Sequence, residues 1–268
     1  MSSNDSTKKM MIVALGVCLV CSVLVSTAAV SLSKKQEINK ELDKVRNILV
    51  AGDLMQPDGD FQQIFRERIE PMVVDMTTGN ILSEDEYPEE LDPRAFDVQE
   101  AAESSVLGMT IPSDQDVADI NRMPKYMTVY RVMSGDSVSQ YILPLYGRGL
   151  WSTMYGFLAL GPTFNTVKGI TFYDHGETPG LGGEIDNPEW KAIWEGKKVF
   201  DDQGNVGITV VKGSVDPTDP RSQYKVDGLS GSTLTTRGLD SMVEFWLGEY
   251  GYGPFFENIR EERSDEQG

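Results

Sequence analysis

Three glycine-rich stretches hold the residue types that could do chemistry. The first is Asp227-Gly228-Leu229-Ser230-Gly231-Ser232-Thr233-Leu234-Thr235-Thr236. Directly after it, Leu239, Met242, Val243, Trp246 and Tyr250 recur at helical spacing on one face. The hydroxyl cluster therefore stands where a helix should begin. A helix N-terminus carries free N–H groups and a partial positive charge, so it can seat a phosphate beside the Thr233 hydroxyl. An ordinary helix start, with Ser232 or Thr233 as N-cap, accounts for the same pattern.

The second stretch is His175-Gly176-Glu177-Thr178-Pro179-Gly180-Leu181-Gly182-Gly183-Glu184. Its four glycines and one proline make a loop whose backbone can approach a ligand closely. It contains the only histidine of the chain. Next to a glutamate that histidine could form an acid–base pair, but a structural turn with a surface histidine is the reading the residues favour. The third stretch, Gly147 to Gly156, carries Arg148 between two glycines and then Trp151. An indole there could stack on a flat ring, or fill the core under a hairpin turn. A dinucleotide fingerprint and a P-loop are both absent.

The elements that must position these stretches are mainly strands. Tyr126–Val132, Ser139–Leu145, Met154–Leu160, Val167–Tyr173 and Val206–Lys212 are rich in strand formers, and glycine turns separate several of them. Helices are expected over Gln36–Leu54, Phe61–Ile69 (ending by Pro71), Trp190–Glu195 after Asn187-Pro188, and Leu234–Glu249. Pro57-Asp58-Gly59-Asp60 reads as a turn. Residues 79–126 read as an acidic insertion with short elements that wraps the surface, and the charged tail from Asn258 as frayed. Strands dominate and helices do not alternate with them, so the fold class is α+β with a mainly antiparallel sheet and flanking helices.

Charge and cysteine content narrow the function. The formal net charge is −18, which opposes nucleic acid as a partner. Cys18 and Cys21 are the only cysteines, both in an apolar run, so the body has no disulfide scaffold and no cysteine-ligated metal. No charged residue occurs from Met10 to Ser33. A helix of that length can cross a bilayer core of about 30 Å. It is longer than the apolar region of a cleaved signal peptide, roughly 7–15 residues. The expected organisation is a short N-terminus (1–9), a transmembrane helix (10–33), a helical stalk (34–56) and a domain from 57 to 268. A simple positive-inside count, with Lys8 and Lys9 before the span and Lys34, Lys35, Lys40, Lys44 and Arg46 after it, would keep the C-terminal side in the cytoplasm.

Taken together, the three stretches resemble the FMN-binding domain family. Asp227-Gly228 followed by Ser230-Gly231-Ser232-Thr233 looks like its flavinylation motif, with Ser232 where alanine is usual. Glu177-Thr178-Pro179-Gly180-Leu181-Gly182 matches its second loop. Gly149-Leu150-Trp151 is similar to the branch found in sodium-translocating NADH:quinone reductases; the sister branch, from the Rnf complex, lacks that form. The resemblance implies FMN bound covalently through a phosphoester to Thr233. It places Ser230, Gly231, Ser232, Trp151, Glu177, Thr178, Gly180 and Leu181 around the cofactor, with Trp151, Thr178 and Leu181 on the isoalloxazine. Asp227 would serve recognition by a flavin transferase. No residue of the chain would itself be catalytic and none would bind a metal. The implied partners are the other subunits of the membrane complex and, during maturation, the transferase. The implied setting is the bacterial inner membrane with the domain in the periplasm.

Overall fold

The computed structural model describes residues 7–55 and 59–265. The turn expected at 57–60 and the N-terminus expected at 1–9 lie partly outside them. The chain divides into two units, residues 1–43 and 44–268. The first consists, where described, of one helix, α1, which spans Thr7–Ala51 and so contributes its last residues to the second unit. The apolar side chains of its first part, such as Leu15, Leu19 and Leu24, are exposed. Among the described residues this is the one helix long and apolar enough to cross a membrane.

In the second unit the chain continues through α2 (Phe61–Arg68), β1 (Ile69–Asp75), β2 (Ile81–Leu82), α3 (Val98–Glu103), β3 (Gly108–Thr110), β4 (Arg122–Pro124), β5 (Tyr126–Ser134), β6 (Ser137–Arg148), β7 (Thr153–Leu160) and β8 (Val167–Asp174). Then follow α4 (Pro188–Ala192), β9 (Thr209–Val210), β10 (Lys225–Val226), α5 (Thr233–Leu247) and α6 (Gly253–Asp265). Six strands form one antiparallel sheet in the order β2-β1-β5-β6-β7-β8. The fold is α+β, as expected.

Alternation along the strands sends side chains to two faces. Met127, Val129, Leu143, Leu145, Leu158 and Leu160 enter the larger core, with Leu239, Met242, Val243 and Trp246 of α5 and Phe255 and Phe256 of α6. Tyr130, Val132, Ile142, Phe157 and Ala159 enter a smaller core, closed by Ile48, Leu49 and Ala51 of α1. Burying each Leu-sized side chain contributes roughly 1.5–3 kcal/mol, so both faces hold the sheet against its helices. On the smaller face Lys44 donates to the Phe96 carbonyl and lies over the Tyr130 ring.

Several expected elements are corrected. Ile69 is the first residue of β1, not the end of a helix. Val206–Lys212 is not a strand of the sheet; only Thr209–Val210 is extended, paired in parallel with β10. Tyr250 lies beyond α5, which stops at Gly248, and is exposed. The tail is not frayed from Asn258: α6 continues to Asp265, with Ile259 buried and Arg260 4.5 Å over the Phe200 ring. The acidic segment does have short elements, and it also sends Leu91, Phe96, Val98, Leu107 and Met123 into the larger core.

Candidate functional site

Strand register brings the second and third stretches together. β6 and β7 pair from Tyr141↔Leu160 to Arg148↔Thr153, so Gly149–Ser152 is the tip of their hairpin. β7 and β8 pair with Tyr155 opposite Asp174. The chain leaving β8 into His175–Glu184 therefore emerges at the same end of the sheet as that tip. Helix α5 then lies over the hairpin. Its Trp246 indole donates to the Tyr146 carbonyl at 2.6 Å. A Cβ on Gly238 would stand 2.1 Å from the Arg148 carbonyl oxygen, so only glycine permits this approach. The start of α5 thus reaches the two loops.

The Asp227–Thr236 turn is held by its own groups. Asp227 accepts the Val215 N–H at 2.8 Å, and its carbonyl accepts the Trp190 indole at 2.9 Å. Gly231 has φ +73°, a backbone state that disfavours side chains. The buried Thr236 hydroxyl accepts from the Leu229 N–H and donates to the Ser232 carbonyl, both at 3.0 Å. Ser232 is the N-cap residue, yet no side chain caps the first turn of α5. Its first N–H groups, which have no partner inside a helix, therefore receive no bond from the Ser232 side chain. Thr233 is the first helical residue and is half-buried.

At the other loop, Trp151 is 66% exposed, so it does not fill the core. Its indole N–H is held by the Thr178 hydroxyl at 3.1 Å. The Thr178 carbonyl accepts from the Leu181 and Gly183 N–H groups, and Gly180 has φ +75°. Leu181 is exposed, and a Cβ on Gly231 would touch it at 3.2 Å. Leu181 is thereby next to the turn that precedes Thr233. Glu177 is buried, its oxygens bonded to the Trp151 N–H and the Thr235 hydroxyl. Ser230, Gly231 and Gly180 are surface residues of the two turns, and Ser232 is buried.

His175 uses both ring nitrogens to hold its loop. Nε2 lies 2.8 Å from Asp186, and Nδ1 accepts the Glu177 N–H at 3.2 Å. That is the structural role, not an acid–base pair with Glu177. The described residues contain no cluster of His, Cys, Asp or Glu able to hold a metal. A surface cleft of about 630 Å³, lined by Thr209, Arg221, Lys225, Asp240 and Tyr250 among others, includes none of the expected site residues.

The structure therefore brings Trp151, Glu177, Thr178, Leu181, Gly231 and Thr233 to one place. Sequence reasoning missed Thr235 and Thr236, whose hydroxyls are inside. They precede Leu239 by four and three residues, so they share its buried face, and that offset was the available signal. The geometry suits a ligand with a phosphate at one end and a flat apolar ring at the other. A flavin mononucleotide has that shape. The free N–H groups fit its phosphate, and the exposed Trp151 and Leu181 fit its ring.

Comparison with known proteins agrees in outline. Residues 149–248 match the FMN-binding domain family. Over 263 residues the chain is 44% identical to NqrC of the Na(+)-translocating NADH-quinone reductase from Pseudomonas aeruginosa, covering 97% of this chain and 98% of that protein. The counterpart from Yersinia pestis is 46% identical, with 97% and 95% covered. The crystal structure of NqrC from Shewanella oneidensis superposes with a TM-score of 0.75 at 34% identity, covering 84% of this chain and 99% of that one.

Proposed function

Because the chain belongs to the NqrC family of the Na(+)-translocating NADH-quinone reductases, we propose that it is the covalent-FMN subunit of such a complex. In this reading it relays electrons from NADH towards ubiquinone, coupled to sodium export, among the other subunits of the complex. It would not oxidise NADH alone, since it carries no nucleotide-binding fingerprint.

The observation that carries the reading is the uncapped start of α5, with Thr233 as its first residue and the exposed ring-binding loop against the preceding turn. When bound, FMN supplies the redox chemistry. The chain's own residues do the rest. The Thr233 hydroxyl oxygen would be the tether: a flavin transferase would move FMN from FAD onto it, with the hydroxyl proton lost and AMP as the leaving group. The N–H groups at the start of α5 neutralise phosphate charge. Ser230, Gly231 and Ser232 shape the turn that presents Thr233. Trp151, held by Thr178, would contact the ring together with Leu181, while Gly180 lets the loop turn. Glu177 belongs to this loop and supports it from within.

Residues 10–33 are assigned to the bilayer of the bacterial inner membrane, 1–9 to the cytoplasm, 34–56 to a stalk and 57–268 to the periplasm. The apolar run of α1 is long enough for the span. A large domain can translocate regardless of its charge, which answers the lysine count.

Mass spectrometry of the full-length protein, co-expressed with a flavin transferase, tests the proposal. The wild type should carry one FMN and Thr233→Ala none. An unmodified wild type would instead favour a non-redox, membrane-anchored binding module. Co-purifying subunits separate this role from that of the corresponding flavin protein in an Rnf complex.

A further inference from the structure

Among the described residues Glu177 is the only charged side chain in the buried class, at 5% exposure, and no cation there pairs with it. A buried carboxylate without a counter-ion is costly unless strong hydrogen bonds compensate. Here two do. Oε1 accepts the Trp151 backbone N–H at 3.0 Å, and Oε2 accepts the Thr235 hydroxyl at 2.5 Å. The first donor belongs to the β6–β7 hairpin tip and the second to the first turn of α5. The backbone of Glu177 itself lies in the third segment, fixed by the His175 ring. Room for the carboxylate exists because two neighbours lack side chains. A Cβ on Gly149 would stand 2.5 Å from Oε1, and one on Gly182 would stand 2.5 Å from Oε2.

We infer that Glu177 is a positioning residue for the flavin: its buried carboxylate ties hairpin tip, loop and helix start into one preformed cradle. It touches neither ring nor phosphate. It sets Trp151 in register with the Thr233 turn before the cofactor arrives, which lowers the ordering cost of binding. The inference rests on the FMN reading above. It also explains how Trp151 is held in place although largely exposed, since both its backbone and its indole N–H groups are bonded.

The test compares Glu177→Ala, Glu177→Gln and Thr235→Val in the full chain. Glutamine can keep both links, its carbonyl accepting from Trp151 and its amide donating to Thr235. Alanine leaves both partners unsatisfied. The first readout is amide exchange at Trp151 in protein that carries no flavin. Acrylamide quenching supports it, because Trp190, Trp194 and Trp246 are buried and Trp151 is exposed. The second is the rate of FMN attachment, followed by mass. Alanine should speed Trp151 exchange and slow attachment by about tenfold or more each, the scale of a lost hydrogen bond to a charged group. Glutamine should stay within about twofold of wild type on both. Thr235→Val should fall between and decides the matter if Glu177→Ala does not fold. Wild-type exchange in Glu177→Ala, glutamine behaving as alanine does, or wild-type attachment in Thr235→Val would each overturn the inference. A wild type that accepts no FMN removes the flavin reading instead, while the exchange comparison still decides whether Glu177 holds the cradle.

Discussion

The helix starts of this domain are of two kinds. α2, α3 and α4 begin on Asp60, Asp97 and Asn187, whose side-chain oxygens accept first-turn N–H groups at 2.9–3.2 Å. α5 begins on Ser232, a residue type that caps well, yet its side chain caps nothing. The backbone explains the difference. The three capping residues are extended, with ψ between 101° and 120°, whereas Ser232 has ψ 56° and its side chain is buried. The hydroxyl that organises this turn is that of Thr236, which bonds back to Leu229 and Ser232. A start that satisfies itself serves stability. A start left open, on an otherwise well-packed helix, adds nothing to stability and can instead receive a ligand.

Changing which helix starts are open should separate stability from flavin loading. Thr233→Ala has the largest expected effect, complete loss of the adduct with the fold intact. Ser232→Asp comes next. It puts a carboxylate at the open start, which should lower FMN attachment by at least about tenfold, because a like charge a few ångströms from the phosphate costs over ~1 kcal/mol. Thermal stability should fall as well, because the carboxylate enters a buried position where desolvation outweighs the gain from the helix dipole. Unchanged attachment in that variant would mean that the phosphate does not sit there.

Removing a cap elsewhere should change stability alone. Asp60→Ala leaves the Gln62 and Gln63 N–H groups without their acceptor. Denaturant unfolding should show a loss of about 1 kcal/mol, within the usual range for caps, with FMN attachment unaltered.

The smallest effect belongs to Glu86, which closes a capping box with the Ser83 hydroxyl and N–H at 2.6 and 2.8 Å. Those bonds, the hydroxyl's first, lower its pKa below the ordinary 4.5. A carboxylate held low in the folded state adds stability above its ordinary value and loses it as pH falls through the lowered one. Glu86→Gln should therefore reduce melting temperature slightly at neutral pH and flatten its fall on acidification. A melting profile parallel to wild type below the ordinary value would refute the assignment.

Much of the fold was legible, for a physical reason. β5 to β8 are long, rich in strand formers and bounded by turns, so local pattern located them within a few residues. β1 was hidden by Pro71, which argues against a strand. Yet at Pro71 the strand pairs only with β5, through Tyr130, because β2 reaches only Val73 and Val74. The proline therefore sits on a free edge, where its missing N–H breaks no ladder. α6 was hidden by its charges. Phe255, Phe256 and Ile259 bury its inner side, while Arg260 and Arg263 lay their guanidinium groups over the Phe200 and Tyr141 rings. No count of charge along the chain reveals that packing.

By itself the sequence determined the start of α5, the glycine at the left-handed position before it and the loop chemistry of His175–Glu184. These depend on neighbours within a few residues, where backbone sterics and helix periodicity act directly. Only the tertiary structure decided that the three stretches form one site. Glu177 meets Trp151 across 26 positions and Thr235 across 58, and each bond depends on strand register and on the close approach of α5 at Gly238. It also decided that Trp151 faces solvent and that Thr235 faces inward. Those outcomes are set by which surfaces the sheet and α5 bury against each other, and local pattern carries no information about that choice.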